Sequence, residues 1–146
     1  MSIFDCIIVG AGPAGITAAV YAARKRMNFM LVSQDVGGQT ALSGDIENYT
    51  GYQFITGLEL VAKFEEHLKQ FNVPFRKDEA VLRVERRAAG GFNVVTAKEI
   101  FETRSVIIAS GCRPRLLNVE GEAVFRNKGV SYCATCDGWF FREKEV

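Results

Sequence analysis

The side chains best placed to do chemistry lie near the C-terminal end, in Cys133-Ala-Thr-Cys136-Asp137. Two thiols at this spacing can form a dithiol/disulfide pair, supply half of a zinc site, or be a chance pair. Zinc would need two more ligands, and the remaining candidates are Cys6 in an apolar run, Cys112, and the single histidine, His67. There is no second close pair, so the redox reading is favoured and no metal is expected. Thiolates of such pairs exchange with disulfides. Asp137 follows directly and could pass a proton to or from a leaving thiolate or a reduced cofactor. Its plainer reading is a turn residue in Asp137-Gly138.

A second chemical signature lies at the other end, in Gly10-Ala-Gly-Pro-Ala-Gly15. It follows an apolar run over residues 3–9 and opens an alanine-rich run over 14–26, which reads strand, turn, helix. A G-x-G-x-x-G at that junction places a diphosphate on a helix N-terminus. Gly10 allows the tight turn, Gly12 lets the backbone approach a pyrophosphate, and Gly15 permits close helix–strand packing. Pro13 stands where a missing N–H costs nothing. Residues 29–32 form the next strand and complete a βαβ unit. The acid expected about 20 residues beyond the glycines to hold a ribose is not squarely present, the nearest candidates being Ser33, Gln34 and Asp35. By itself the motif does not separate FAD from NAD.

The elements that must position these groups follow from the rest of the chain. Its 146 residues suffice for one ordinary domain, and the formal net charge of +1 comes without a basic stripe, so no nucleic-acid surface is expected. The longest apolar run falls short of the roughly 20 residues a membrane span needs, and the N-terminus reads directly as a strand rather than a signal peptide. Two isolated cysteines plus one C-x-x-C do not make a secreted disulfide framework and fit a cytoplasmic protein. Gly37-Gly-Gln39 marks a flexible loop, and residues 45–49 read as irregular. Thr56 with Glu59 has capping-box spacing for a helix reaching about Phe71, with Leu60, Phe64, Leu68 and Phe71 on one face. Residues 81–87, 92–96 and 100–103 read as a three-stranded antiparallel meander. Residues 105–109 read as a further buried strand ending in Ser110-Gly111.

The chain resembles the N-terminal part of low-molecular-weight thioredoxin reductases and the related alkyl hydroperoxide reductase flavoprotein component. The matching stretches are Ile7-Ile-Val-Gly-Ala-Gly-Pro-Ala-Gly15, Ala18-Ala-Val-Tyr-Ala-Ala-Arg24, Gly37-Gly-Gln39, Ile46-Glu-Asn-Tyr49, Val106-Ile-Ile-Ala-Ser-Gly111 and Gly129-Val-Ser-Tyr-Cys-Ala-Thr-Cys-Asp-Gly138. They span nearly the whole chain in family order. The resemblance implies an α/β fold: a Rossmann-like FAD-binding βαβ domain with the meander over residues 1–113. Residues 114–146 are then a connection and the start of the redox/nicotinamide domain.

It further implies FAD held by Gly10, Gly12, Pro13 and Ala14, with Ser33 at the end of the second strand and Gly38, Gln39 and Asn48 near the flavin half. The Val81 backbone would meet the adenine, and Ala109, Ser110 and Gly111 would line the dinucleotide. Cys133 and Cys136 would be the redox pair and Asp137 the acid. Electrons in the family run from NADPH, or NADH in some members, through FAD to this disulfide and on to a thioredoxin-like or peroxiredoxin-type disulfide protein, in a homodimer. Ser110 replaces the usual Thr and keeps the hydroxyl. The family's nicotinamide unit would begin where this sequence stops, so a truncated form, unable to complete turnover alone, is expected. Two other classes fit the same residues: a non-catalytic flavin- or nucleotide-binding domain fragment, and a redox-sensing or electron-transfer partner that uses Cys133 and Cys136 with another chain.

Overall fold

The computed structural model describes residues 3–126 and 128–145, except for the side chains of Thr135, Cys136, Trp139 and Phe140. The chain divides into two units, residues 1–112 and 113–146.

In the first unit, strand β1 (Phe4–Ala11) runs into helix α1 (Pro13–Arg24) and strand β2 (Phe29–Val36). A one-turn helix α2 (Gln39–Leu42) follows, then a small two-stranded sheet of β3 (Asp45–Ile46) and β4 (Ile55–Thr56). Helix α3 (Gly57–Lys69) comes next, then strands β5 (Phe75–Arg76), β6 (Val81–Arg86), β7 (Phe92–Thr96) and β8 (Ile100–Ile108). Six strands form one sheet in the order β5-β2-β1-β8-β7-β6. Strands β5, β2, β1 and β8 are parallel, and β8, β7 and β6 are antiparallel.

The apolar stretch of β1 that follows Asp5, residues 6–9, exists because both faces of the strand are covered there. Alternation sends Cys6 and Ile8 toward α1 and α3, where they pack with Leu31, Ile16, Ala19 and Leu68. Ile7 points to the other face and joins Met30, Val32, Val94 and Phe101. The antiparallel arm therefore bends back over the parallel strands. Arg76 on β5 at the far edge reaches across to Glu99 at 3.6 Å and lies over the Phe101 ring. Among the described residues no helix is long and apolar enough to cross a membrane.

Helix α3 starts on the capping box read from the sequence. The Glu59 amide donates to the Thr56 hydroxyl, and the Glu59 carboxylate accepts from the Thr56 amide at 2.9 Å. Leu60 and Leu68 are buried, Phe64 and Phe71 partly so.

Four local expectations change. Gly37-Gly-Gln39 is not merely a flexible loop, because Gln39 begins α2. Residues 45–49 are not wholly irregular, because Asp45 and Ile46 pair with Thr56 and Ile55. Residues 100–103 and 105–109 are not two strands: β8 runs straight through Arg104, which pairs outward with Asp5. Nor is its end buried. Ile108 is 70% exposed.

The second unit holds the short helices α4 (Glu122–Phe125) and α5 (Ala134–Asp137) and a 3-10 turn (Gly138–Phe141). Arg126 and Val130 form an isolated parallel bridge between α4 and α5.

Candidate functional site

Each unit holds one candidate site. The first is built on the glycine turn. Gly10 has φ +103°, and a Cβ there would stand 2.3 Å from the Ala109 carbonyl oxygen. A Cβ on Gly15 would stand 1.8 Å from the Gly10 carbonyl oxygen. Both contacts are with backbone, so neither position admits a larger residue without moving a strand. Gly12 differs: it is the N-cap of α1 in an extended conformation, and a Cβ there would meet nothing within 4 Å. No side chain caps α1, Pro13 begins it, and no acidic residue lies in its first turn. A helix start of this kind offers unpaired N–H groups and the positive end of the helix dipole. The donors and the open approach at Gly12 fit a diphosphate.

The surrounding backbone is tied to this turn. The Ala11 amide donates to Ser33 Oγ at 3.0 Å, the Gly37 amide to the Ala11 carbonyl at 2.8 Å, and the Ala109 amide to the Val9 carbonyl at 2.8 Å. Gly38 sits close enough that a Cβ on it would be 3.6 Å from Gly12 Cα. Gln39 Nε2 donates to the Cys112 carbonyl at 3.0 Å, joining α2 to the stretch that follows β8. Gly10, Gly12, Pro13, Ala14, Ser33, Gly38, Gln39, Ala109, Ser110 and Gly111 thus gather at the C-terminal ends of β1, β2 and β8. Open parallel sheets bind ligands at such strand ends. Val81 opens β6 two residues after Glu79, whose amide donates to the Ser33 carbonyl at 3.1 Å. Asn48 is exposed on the stretch after β3, apart from this hydrogen-bonded group.

The burial of Glu79 beside this site is not legible in the sequence. Thr96 Oγ1 donates to the Glu79 carboxylate. An acid in a polar stretch before a strand carries no sequence signal for burial.

The second site surrounds Cys133. Its sulfur is disulfide-bonded, while Cys6 is free and buried and Cys112 free and exposed. The Cys136 side chain lies outside the described residues. Asp137 closes the turn of α5, its amide donating to the Cys133 carbonyl at 3.0 Å. Ser131 Oγ donates to Asp137 Oδ2 at 2.6 Å and accepts from the Cys133 amide at 3.1 Å.

Behind this turn lies Glu122, only 7% exposed. Its carboxylate accepts from the Leu117 amide at 2.8 Å, the Asn118 amide at 2.7 Å and the Tyr132 hydroxyl. The Tyr132 hydroxyl and the Leu117 amide hold the Glu122 carboxyl below its ordinary range, and Glu122 in turn pushes the Tyr132 hydroxyl up. The Arg126 guanidinium lies over the Tyr132 ring. Ser131, Tyr132 and Glu122 escape a sequence reading because their roles depend on folding of the segment around them. Among the described residues no group of three or more His, Cys, Asp or Glu side chains could hold a metal ion.

The model of the pyridine nucleotide-disulphide oxidoreductase family matches residues 4–146. The chain belongs to that family.

Within the pyridine nucleotide-disulphide oxidoreductases, it is 40% identical to a thioredoxin reductase of Bacillus subtilis (strain 168), over 99% of this chain and 45% of the relative. It is 37% identical to a protein named NADH dehydrogenase from Ferdinandcohnia aciditolerans, over 98% of this chain and 27% of that one. The crystal structure of thioredoxin reductase from Streptococcus pyogenes MGAS5005 superposes with a TM-score of 0.82 at 44% identity, covering 96% of this chain and 45% of that one. The α/β architecture, a parallel sheet continued by an antiparallel meander, is therefore that of thioredoxin reductase-like proteins. The chain spans about half the length, or less, of the curated relatives it matches.

Proposed function

We propose that this chain carries the flavin site and the redox disulfide of a thioredoxin reductase-like enzyme. Residues 1–113 form the FAD-binding segment. Residues 114–146 form the connection and the opening of the redox/nicotinamide domain. The observation that carries the reading is the open, uncapped approach to α1 at Gly12 in a chain whose Cys133 is already disulfide-bonded and followed closely by Asp137.

The N–H groups at the start of α1, with Gly10, Gly12, Pro13 and Ala14, bind the diphosphate. Ser33 acts by fixing Ala11, and so the height of the turn. Gly38 and Gln39 border the flavin half with Asn48. Val81 lies toward the adenine, and Ala109, Ser110 and Gly111 form the floor. When bound, FAD supplies a two-electron carrier between a nicotinamide, NADPH or NADH, and the cysteine pair. Cys133 and Cys136 accept the electron pair by opening their disulfide, and Asp137 supplies a proton to the leaving sulfur. The reduced pair then exchanges with the disulfide of a thioredoxin-like or peroxiredoxin-type protein, in a cytoplasmic homodimer. The chain spans 45% of its thioredoxin reductase relative; nicotinamide turnover is proposed of the whole protein, flavin binding and disulfide exchange of these residues.

The visible spectrum of the purified chain, before and after incubation with FAD, tests the reading. A flavin band that survives desalting is expected, and its failure to form would overturn the FAD assignment. Stopped-flow mixing of the loaded chain with NADPH or NADH tests the rest. Slow or absent flavin bleaching is expected, and rapid bleaching with steady reduction of a disulfide substrate would overturn the division of labour.

A further inference from the structure

We propose that Ser131 is a positioning residue for the proton transfer at the Cys133 disulfide. The proposal rests on the reading of Asp137 as the acid and adds a residue to it.

A serine hydroxyl has one proton to donate and lone pairs to accept with. At Ser131 the Cys133 amide donates to Oγ at 3.1 Å, and the hydroxyl proton goes to Asp137 Oδ2 at 2.6 Å. The incoming N–H restricts the rotor, so the outgoing bond has a defined direction. At 2.6 Å the hydroxyl-to-carboxyl contact is short for an O–H···O hydrogen bond. One hydroxyl therefore fixes the acid relative to the backbone of the cysteine it serves. Oδ2 accepts from Ser131 whether or not the carboxyl carries a proton, so the bond persists through the cycle and Oδ1 is left as the oxygen that carries the transferable proton. The fold reinforces the arrangement from behind. Tyr132, between Ser131 and Cys133, is anchored through its hydroxyl to the buried Glu122.

A thiolate of an external dithiol attacks one sulfur of the disulfide that holds Cys133 and forms a mixed disulfide. The sulfur–sulfur bond breaks, its electron pair goes to the leaving sulfur, and that sulfur takes the proton from Asp137 Oδ1. The second thiol of the reagent displaces the mixed disulfide, leaving an oxidised reagent and two reduced protein cysteines. Asp137 regains its proton from water. Without the Ser131 hydroxyl the carboxyl rotates away and the leaving sulfur must find a proton in solvent.

The test measures reduction of the full chain by dithiothreitol, followed by quenched alkylation, in a Cys112→Ser background because Cys112 is exposed and free. Asp137→Asn is expected to slow reduction about 100-fold, the scale of general acid catalysis. Ser131→Ala is expected to slow it about 10-fold, Ser131→Thr to restore it, and Ser131→Ala to have no further effect once Asp137→Asn is present.

Four outcomes separate the possibilities. The full pattern supports the proposal. An effect of Ser131→Ala that persists beside Asp137→Asn would overturn it, since the hydroxyl would then act only as a cap on the Cys133 amide. A slowed Asp137→Asn with an unaffected Ser131→Ala would overturn the positioning role alone. An unaffected Asp137→Asn would overturn both that role and the acid assignment. Thermal unfolding of each variant, expected to be unchanged, guards against a trivial loss of fold.

Discussion

Ser33 Oγ accepts the amide proton of Ala11 at 3.0 Å, and this bond joins the ends of β1 and β2 where the strand register shifts. Ala11 opposes Val36 rather than a residue following Val32 in step, so its amide is not served by the regular ladder. The buried hydroxyl serves it instead.

Replacing Ser33 by alanine would leave that amide without its partner. An unsatisfied buried donor costs about 1–3 kcal/mol. Ser33→Ala is expected to lower stability by that amount, read as a lower denaturant midpoint, and to weaken flavin retention with it. Equal stability in urea titrations of the two proteins would show that the amide finds another partner.

Gly12 and Gly15 make opposite predictions although they belong to one motif. Gly15→Ala drives a methyl toward the Gly10 carbonyl oxygen, where a separation of 1.8 Å is far inside contact distance. Overpacking against backbone is expected to cost about 3 kcal/mol. Gly12→Ala meets no atom and keeps an ordinary extended backbone, so its stability should fall by no more than about 1 kcal/mol, the scale of an N-cap change. Its methyl nevertheless projects into the approach to α1, so flavin binding should drop at least tenfold. Fluorescence titration with FAD alongside thermal melts checks both variants. A Gly12→Ala chain that keeps full affinity would place the diphosphate elsewhere.

Ile7 and Ile108 lie in adjacent parallel strands but in different surroundings. Ile7 is fully buried between Met30, Val32, Val94 and Phe101, whereas the end of β8 at Ile108 is open to solvent. Ile7→Ala is expected to cost about 3 kcal/mol through lost transfer energy and a cavity. Ile108→Ala should change stability by less than about 0.5 kcal/mol. Chemical denaturation of the two variants compares them directly, and a costly Ile108→Ala would mean that β8 is covered in solution.

Acid should loosen the segment before the cysteines. The Tyr132 hydroxyl and the Leu117 amide hold Glu122 below the ordinary value of 4.5. A carboxyl whose folded value is depressed contributes stability above its unfolded value and loses it as pH falls through the folded one. Hydrogen-exchange protection of the Leu117 and Asn118 amides, corrected for intrinsic rate, should therefore hold near neutrality and fall progressively below about pH 4.5. Glu122→Gln should lower that protection at neutral pH and flatten its acid dependence. Protection that ignores both pH and the substitution would remove Glu122 as the anchor of this loop.

Much of this molecule is local in origin. The apolar run of β1, the glycine turn, Pro13 at the start of α1 and the Thr56–Glu59 capping box each depend on residues a few positions apart, and each is present where the sequence places it. The same is true of the meander turns and of a C-x-x-C followed at once by an acid. What the sequence by itself determined was this set of local devices, and with them the family.

Tertiary structure decided which groups meet. The join of two apparent strands into β8 depends on pairing with β1 on one side and β7 on the other. That Ser33 serves the backbone of the turn depends on a register shift between strands, and the two bonded residues lie 22 positions apart. The burial of Glu79 and Glu122 was equally hidden, because a carboxylate enters the interior only when donors supplied by other elements replace its water. Ser131 is the clearest case. In sequence it is one more polar residue before a cysteine; once α5 forms, its single hydroxyl lies between the Cys133 amide and the Asp137 carboxylate, and hydrogen bonding at that range is decided by three-dimensional geometry alone.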